Sequence, residues 1–393
     1  MVYSSPSSTL RPVFNPSVPK ARRVPQPAWY TVSNAADVPS PALLVYPDRV
    51  EENIRRMIRT AGGVGRLRPH VKTNKLPEVV QMHLDQGITK FKCATIAEAE
   101  MLAACGAADV LLAYQPVGPN IARLVRLIET FRDTRFAALV DDERVIRALS
   151  DAARDGSVTI RLYLDLDCGM QRTGIAPGPR AAELYRLLAT LPRLEAGGLH
   201  AYDGHIRDSD IGARTRAANE AFAPVMSLRR ELLQGGYPVP AVVAGGTPTF
   251  PVHARRADVE CSPGTLVFWD WGYGTTLPDM DFLPALLVMT RVISKPGPNR
   301  LCLDLGHKAV ASEMPPPRVQ LLGLPEIKAV GHSEEHLVLE TPRAAEFPVG
   351  TYFYGMPWHV CPTVALHDEA VVVRDGCARE RWQVKGRVRR ITI

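Results

Sequence analysis

The sequence predicts an α/β protein, a (β/α)8 TIM-type barrel joined to a second, mostly antiparallel β domain. Three observations predict it. Short apolar, β-branched runs alternate with amphipathic stretches from about residue 43 to about residue 263, the pattern of parallel strands joined by helices. After Thr265 the helical period fades, and Pro, Gly and β-branched residues take over to the end of the chain. A length of 393 residues holds one large barrel and a smaller domain.

The barrel can be counted. Candidate strands fall at 66–71, 90–95, 110–115, 135–140, 160–166, 194–201, 241–247 and 257–263, which makes eight. The segments between them, such as 47–60, 96–106, 141–155 and 214–235, read as amphipathic helices, several closed by a glycine. This repetition points to a closed barrel, with an open doubly wound sheet as the competing arrangement. Strands of the β domain are expected at 285–293, 301–305, 319–322, 336–340 and 370–373. Residues 28–32 (AWYTV) are expected to add one more from the other end of the chain. The domains are then 1–39, a leader and a strand joining the β domain; 40–267, the barrel; and 268–393, the β domain.

Composition excludes several function classes. Apolar residues make up 46% and charged residues 22%, as in soluble globular proteins and unlike a disordered chain. The net charge of +6 comes from Lys and Arg dispersed among Asp and Glu, with no dense basic run beside aromatic residues, so no nucleic acid is expected as partner. A modest positive potential suits anionic cofactors and carboxylate substrates. Seven cysteines without a CxxC pair read as reduced thiols in a cytoplasmic protein. No apolar run reaches the length of a membrane span, so no membrane partner is expected. The start, MVYSSPSSTLRPVFNPSVPKARRVPQP, reads as a loosely ordered leader, and its prolines disfavour the helix of a transit peptide.

Barrels of this kind carry reactive groups at the C-terminal ends of their strands and hold phosphate in the loops after strands seven and eight. The first strand ends in RPHVKTNK, which puts Lys72 at the mouth. The seventh ends in Ala244, Gly245, Gly246, Thr247, Pro248 and Thr249, and the eighth in Ser262, Pro263, Gly264 and Thr265. Both are glycine-rich turns whose amides and hydroxyls can cradle a phosphate. Taken alone, such a lysine is usually a solvated charge and such a turn is only a turn. A lysine opposite paired phosphate turns is what pyridoxal 5'-phosphate requires, because its aldehyde needs an amine while its phosphate anchors the ring.

Further along, His359 and Cys361 stand at i and i+2, so on an extended strand both side chains face one way. One imidazole and one thiolate form half of a zinc-type site, with water and substrate filling the rest. Arg172 follows Asp165, Asp167 and the turn Cys168-Gly169-Met170 just past strand five, and Tyr202 ends strand six. His200, His205 and Asp208 supply titratable groups at the same rim, where a base can take a hydroxyl proton, and His205 is the preferred one. His70 is expected to orient the lysine loop or to pack at the mouth. No role is assigned to His307 or Lys308.

The segment SPALLVYPDRVEENIRRM followed by LRPHVKTNK resembles the opening of the D-threonine aldolase and D-serine dehydratase family, fold-type III relatives of bacterial alanine racemase. CGMQRTG around Arg172, HAYDGH around Tyr202, AGGTPT, ECSPGT, DLGHKA around Asp304 and PWHVCPT follow in order, spanning nearly everything after residue 40. The resemblance implies that Lys72, and not Lys75, binds the cofactor. It implies that Arg172 contacts the ring side near the phenolic oxygen and that Tyr202 lies against the ring. The phosphate then falls to Gly245, Gly246, Thr247, Gly264 and Thr265.

By the same resemblance His359 and Cys361 hold a catalytic divalent metal, zinc or manganese. The pair is His and Cys in the dehydratase branch, whereas well-known aldolases have Asp in second place; thiolate softness favours zinc. The spacing HAYDGHIRD does not superimpose cleanly on the aldolase arrangement, so either His205 is the base or a metal-bound water is. The implied activity is a lyase that cleaves D-3-hydroxy amino acids by retro-aldol reaction, D-threonine giving glycine and acetaldehyde. ALLVYPDRVEENIRRM and AYDGH favour that branch. A D-serine or 3-hydroxyaspartate dehydratase is the alternative, and an amino-acid racemase, which needs a second base and no metal, a further one. A small D-β-hydroxy amino acid substrate and a homodimer complete the family's expectations.

Overall fold

A computed structural model describes residues 28–324, 326–390 and 392. The expected leader, up to residue 27, lies outside the described residues. The chain divides into two compact units, 1–31 and 32–393. In the first, the expected strand at 28–32 is replaced by a turn through Trp29 and Tyr30, in which Thr31 N–H donates to the Ala28 carbonyl at 2.9 Å. Ala28 and Trp29 are exposed, and Val32 at the end of the segment is its one buried residue.

In chain order the first elements are β1 (Ala42–Val45), α1 (Pro47–Ala61), α2 (Pro77–Asp85), β2 (Lys90–Cys93), α3 (Ile96–Ala104), β3 (Asp109–Leu112), α4 (Pro119–Thr130) and β4 (Arg135–Val140). Next come α5 (Glu143–Asp155), β5 (Ile160–Leu166), α6 (Pro179–Thr190), β6 (Leu194–Ala201), α7 (Ile211–Gln234), β7 (Ala241–Ala244), α8 (Phe250–His253) and β8 (Glu260–Cys261). The remainder is α9 (Trp271–Thr276), β9 (Leu286–Gly297), β10 (Arg300–Leu303), β11 (Val319–Leu321), β12 (Lys328–His332), β13 (Leu337–Glu340), β14 (Tyr352–Pro357), α10 (Val360–Ala365), β15 (Glu369–Arg374) and β16 (Cys377–Gln383). Proline opens α1, α2, α4 and α6, where its missing N–H costs nothing. Thr95, Asp142 and Asp210 cap α3, α5 and α7 by accepting backbone N–H groups.

Strands β2 to β8 form one parallel sheet in chain order. The predicted first strand, 66–71, closes it through isolated bridges, Leu67 to Cys261 and His70 to Lys92. Arg68 N–H donates to Cys261 O at 2.9 Å, His70 N–H to Pro263 O at 2.8 Å and Lys92 N–H to Pro69 O at 2.9 Å. Pro69 has no N–H to return, so the ladder breaks there and no regular strand forms. The eight expected segments therefore do make a closed barrel. Strands seven and eight stop earlier than predicted, the former because Gly245 takes a φ of 76°.

Side chains alternate about the barrel wall. On β2, Phe91 and Cys93 join the core under the helices, while Lys90 and Lys92 point inward. At the N-terminal end, Arg68 pairs with Asp109 at 2.6 Å and Glu260 at 2.8 Å, and Arg161 reaches Asp109 at 3.0 Å. Leu111, Ala137, Leu139, Tyr163 and Val243 fill the middle. Asp165, two residues beyond Tyr163 on β5, meets His200 of β6 in the layer that faces the mouth.

The second sheet runs β12-β13-β10-β9-β1-β15-β16, with β14 against β9 and β11 against β14. Every pairing is antiparallel except β1 with β15. β1 corrects the expected start of the barrel at residue 40. Its ALLV sequence is wedged between β9 and β15, so the chain enters the β layer before it enters the barrel. No helix among the described residues is long and apolar enough to cross a membrane.

Candidate active site

A cavity of about 680 Å3 opens where the barrel strands end, a volume suited to a small cofactor with its substrate. Lys72, Arg172, Tyr202, Gly246, Thr247, Gly264, Thr265, His359 and Cys361 all line it. Of the expected site residues, His205 and Gly245 are not among its lining.

Lys72 leaves the broken strand at 66–71 through a sharp turn in which Asn74 and Lys75 N–H groups both donate to the Val71 carbonyl. The Lys72 N–H itself donates to His70 Nδ1 at 3.3 Å. Burial, then the nearby Lys72 and Lys92 charges, push His70 well below its ordinary range, so its imidazole is a neutral acceptor that orients this loop. Lys75 is committed elsewhere, paired with the buried Glu98, which also accepts the Ala94 N–H at 2.6 Å. Lys72 Nζ instead faces Tyr202, 5.8 Å from the ring centroid.

The Tyr202 ring collects cations. Lys92 Nζ lies 5.8 Å and the Arg172 guanidinium 4.8 Å from the same centroid. The next residue, Asp203, is buried and accepts the Thr249 hydroxyl at 2.6 Å while pairing with His253 Nε2 at 2.7 Å. Burial works to raise the Asp203 carboxyl, but His253 and Thr249 hold it below its ordinary value. This network ties the loop after β6 to the glycine turn after β7.

The two turns converge on one hydroxyl. Gly264 and Thr265 N–H groups donate to Thr247 Oγ1 at 3.3 and 3.2 Å. A Cβ at Gly246 would stand 2.9 Å from the Tyr202 ring, and one at Gly264 would stand 3.0 Å from the His70 carbonyl. Gly245 faces His253 instead, and serves the turn through its backbone.

His359 and Cys361 meet across the cavity, though not on a strand as expected. His359 is the extended residue before α10 and Cys361 lies in its first turn, where Pro362 favours a helix start. Their side chains still act on each other's protonation. Burial pulls His359 down, but Cys361 and Glu313 carry it up to about 9; burial raises Cys361, but His359 and Lys72 bring it below its ordinary value. Cys361 Sγ lies 3.1 Å from Thr73 Oγ1 and 3.5 Å from Thr265 Oγ1, and Glu313 bonds His359 Nδ1. Asp270 caps α9 through the Tyr273 N–H at 2.9 Å and holds the Val360 N–H at 3.0 Å, fastening this segment to the barrel exit. Burial pushes Asp270 up to about 6.

Two family descriptions match the chain, "Alanine racemase, N-terminal domain" over residues 45–270 and "Putative serine dehydratase domain" over residues 285–373. A D-threonine aldolase of Arthrobacter sp is 30% identical over 360 residues, covering 90% of this chain and 93% of that protein. The chain belongs to the alanine racemase-like family, in its D-threonine aldolase group. A 3-hydroxy-D-aspartate aldolase of Paracoccus denitrificans is 28% identical, with 90% and 93% covered. The crystal structure of D-threonine aldolase from Filomicrobium marinum superimposes with a TM-score of 0.84 at 29% identity, covering 92% of this chain and 99% of that one. This alanine racemase-like protein is an enzyme, a pyridoxal-phosphate-dependent lyase.

The residues present fit that cofactor. Cradles at Gly246 and Gly264 that a Cβ would fill, convergent amides, and an amine facing an aromatic wall are what its phosphate, aldehyde and ring need. The fit to a metal is narrower. Among the described residues no group of three or more His, Cys, Asp or Glu could hold one, so the His359 and Cys361 pair suits an open catalytic position and not a closed structural one. Glu313 on Nδ1 would leave Nε2 as the donor.

The D-threonine aldolase-like site also departs from expectation. His205 is exposed and its ring lies against Gly169, because Asp203 is drawn inward by Thr249 and His253 and the Ile206 N–H folds back to the Asp203 carbonyl at 3.0 Å. It does not reach the cavity as a base. Lys92, Thr73, Asp270 and Glu313 were not foreseen; the Lys-Phe-Lys-Cys alternation of β2 was the one signal for an inward lysine. Lys308, without an assigned role, pairs with Glu334 at 2.6 Å.

Proposed function

We propose that this enzyme cleaves small D-3-hydroxy amino acids by a retro-aldol reaction dependent on pyridoxal phosphate and a divalent metal, with D-threonine giving glycine and acetaldehyde. The observation that carries it is the placement of Lys72 and the His359–Cys361 pair on one cavity with the two glycine turns. When bound, the cofactor supplies an aldehyde for the substrate amine and a ring that accepts the electrons of the broken Cα–Cβ bond. A metal at His359 and Cys361, zinc or manganese, would supply a Lewis acid for the β-hydroxyl.

The chain's own residues do the rest. Lys72 offers its amine to the aldehyde, and once the substrate amine takes its place its Nζ is free to hold a proton. Tyr202 walls the ring; Gly246, Thr247, Gly264 and Thr265 fix the phosphate end. Arg172 falls to the ring side near the phenolic oxygen, and Arg207, which also lines the cavity, is a cation for the substrate carboxylate. Cytoplasmic residence agrees with seven free cysteines, and a homodimer belongs to the same reading.

The presence of Cys361 in the second metal position, with the match to a putative serine dehydratase domain, supports dehydration as the second reading. Incubation of the cofactor- and metal-loaded protein with D-threonine and D-serine separates the two. Glycine with acetaldehyde is the expected product; 2-oxobutanoate or pyruvate with ammonia would replace cleavage by dehydration.

A further inference from the structure

Lys92 is an amine that the reaction above does not use. It is 2% exposed, yet it lines the cavity. Its Nζ lies 3.4 Å from His200 Nε2, and His200 Nδ1 lies 2.7 Å from Asp165 Oδ1, whose other oxygen accepts the Thr173 hydroxyl at 2.9 Å. Among the described residues no carboxylate pairs with it directly, and a buried ammonium so placed gives up its proton more easily than one in water. The groups that face it come from neighbouring segments: Arg68 and His70 from the first barrel segment and Lys72 just after it, Asp165 and Arg172 from β5 and its loop, and His200 from β6. Burial first, then Lys72, bring the amine down to about 7, against the pull of Asp165.

Position narrows its role. Lys92 keeps company with Arg172, whose charge is among those that lower it. Both lie over the Tyr202 ring. With the phosphate at the glycine turns, the phenol and the pyridine nitrogen are the titrating groups left on the cofactor's ring, and both respond to a charge beside it.

We propose that Lys92 is a switchable cation of the cofactor site, whose proton, shared through His200 with Asp165, adds or removes a second positive charge at the cofactor's ring beside the permanent one of Arg172. As an ammonium it would add to Arg172 in favouring negative charge on the ring; as an amine, its proton lost to water in the cavity, it would leave Arg172 alone in that role. This inference rests on the cofactor reading above.

The test is the absorption spectrum of the loaded protein titrated across neutrality. In the unaltered enzyme the bound chromophore changes with a single midpoint on the acid side of the ordinary lysine value of 10.5. Lys92→Met abolishes that transition, and Lys92→Arg holds the acid-form spectrum through the alkaline arm. A loaded Lys92→Met protein with an unmoved midpoint overturns the inference and leaves the cofactor reading intact; failure of the unaltered protein to take up cofactor sinks both. Should Lys92→Met fail to fold or load, the unaltered apoprotein is treated with a small acylating reagent and modification is followed site by site by mass spectrometry. Lys92 then reacts with a half-maximal rate near pH 7, and a half-maximal rate at the alkaline value of the exposed lysines overturns the proposal.

Discussion

The two ends of the barrel use charge in opposite ways. At the N-terminal end, Arg68, Arg161 and Lys90 are each paired with Asp109 or Glu260, and Arg68 is nearly inaccessible at 1% side-chain exposure. At the C-terminal end, Lys72, Lys92 and Arg172 crowd one tyrosine ring, and among the described residues none has an ion-paired carboxylate. Lys92 stands two residues beyond Lys90 on β2, while Lys72 follows Arg68 by four residues and Arg172 lies in the loop after the strand that carries Arg161. The closed set holds the barrel together; the open set reserves positive potential for an anionic cofactor and a carboxylate substrate, at a cost in stability until they bind.

That contrast can be broken from either side. Asp109→Ala leaves buried Arg68 with Glu260 alone and Arg161 with the more distant Glu195, and loss of one partner of a buried pair costs roughly 3–5 kcal/mol, to be read from denaturant unfolding. A loss below about 1 kcal/mol, the range of surface ion pairs, would show that the floor is not a structural network. The structural shell also sets the acid limb. His83 of α2 is buried, its Nδ1 meeting the Val79 carbonyl at 2.7 Å, and burial brings it from 6.5 to about 4. Its contribution is complete above 6.5 and is lost as pH falls towards 4, a span worth roughly 3 kcal/mol. His83→Met should flatten that part of the stability profile; an unchanged acid limb would assign it to other groups.

On the open side the effects fall on chemistry. Chelation of the metal, or Cys361→Ala, should lower turnover by roughly 10²-fold or more, a Lewis acid being worth several kcal/mol, while the bound chromophore persists. Full activity after exhaustive chelation would remove the metal from the reading. The smallest effect has the opposite sign. Lys72→Met relieves repulsion among the mouth cations and should stabilise the apoprotein by about 1 kcal/mol, seen as a higher melting temperature, although the protein can no longer bind cofactor through that position. Destabilisation would mean that the mouth is not frustrated.

Much of this was legible in the sequence because period and punctuation carry it. Alternation located the eight barrel segments, and Gly245, Gly246 and Gly264 marked the strand ends that face Lys72. Short edge elements were less legible. Ala42–Val45 is only four residues long, and its partners, β9 and β15, lie more than two hundred residues further on, so nothing local announces them. The pair at 359 and 361 was read on a strand, since i and i+2 spacing is satisfied equally by a helix start whose side chains are turned together by Asp270 and Thr73. His205 failed for a similar reason. Its neighbour Asp203 is anchored by Thr249 and His253, some fifty residues away in sequence, and that anchor decides which way the loop turns. Lys92 was passed over because a lysine in a strand is ordinarily a surface residue; only barrel closure puts it inside.

The claim on which the rest depends is that Lys72 is the amine that takes the cofactor. Borohydride reduction of the loaded protein, followed by digestion and mass mapping, tests it directly. The predicted result is a single pyridoxyl adduct on the peptide containing Lys72; an adduct on Lys92 or Lys75 with Lys72 unmodified would contradict it.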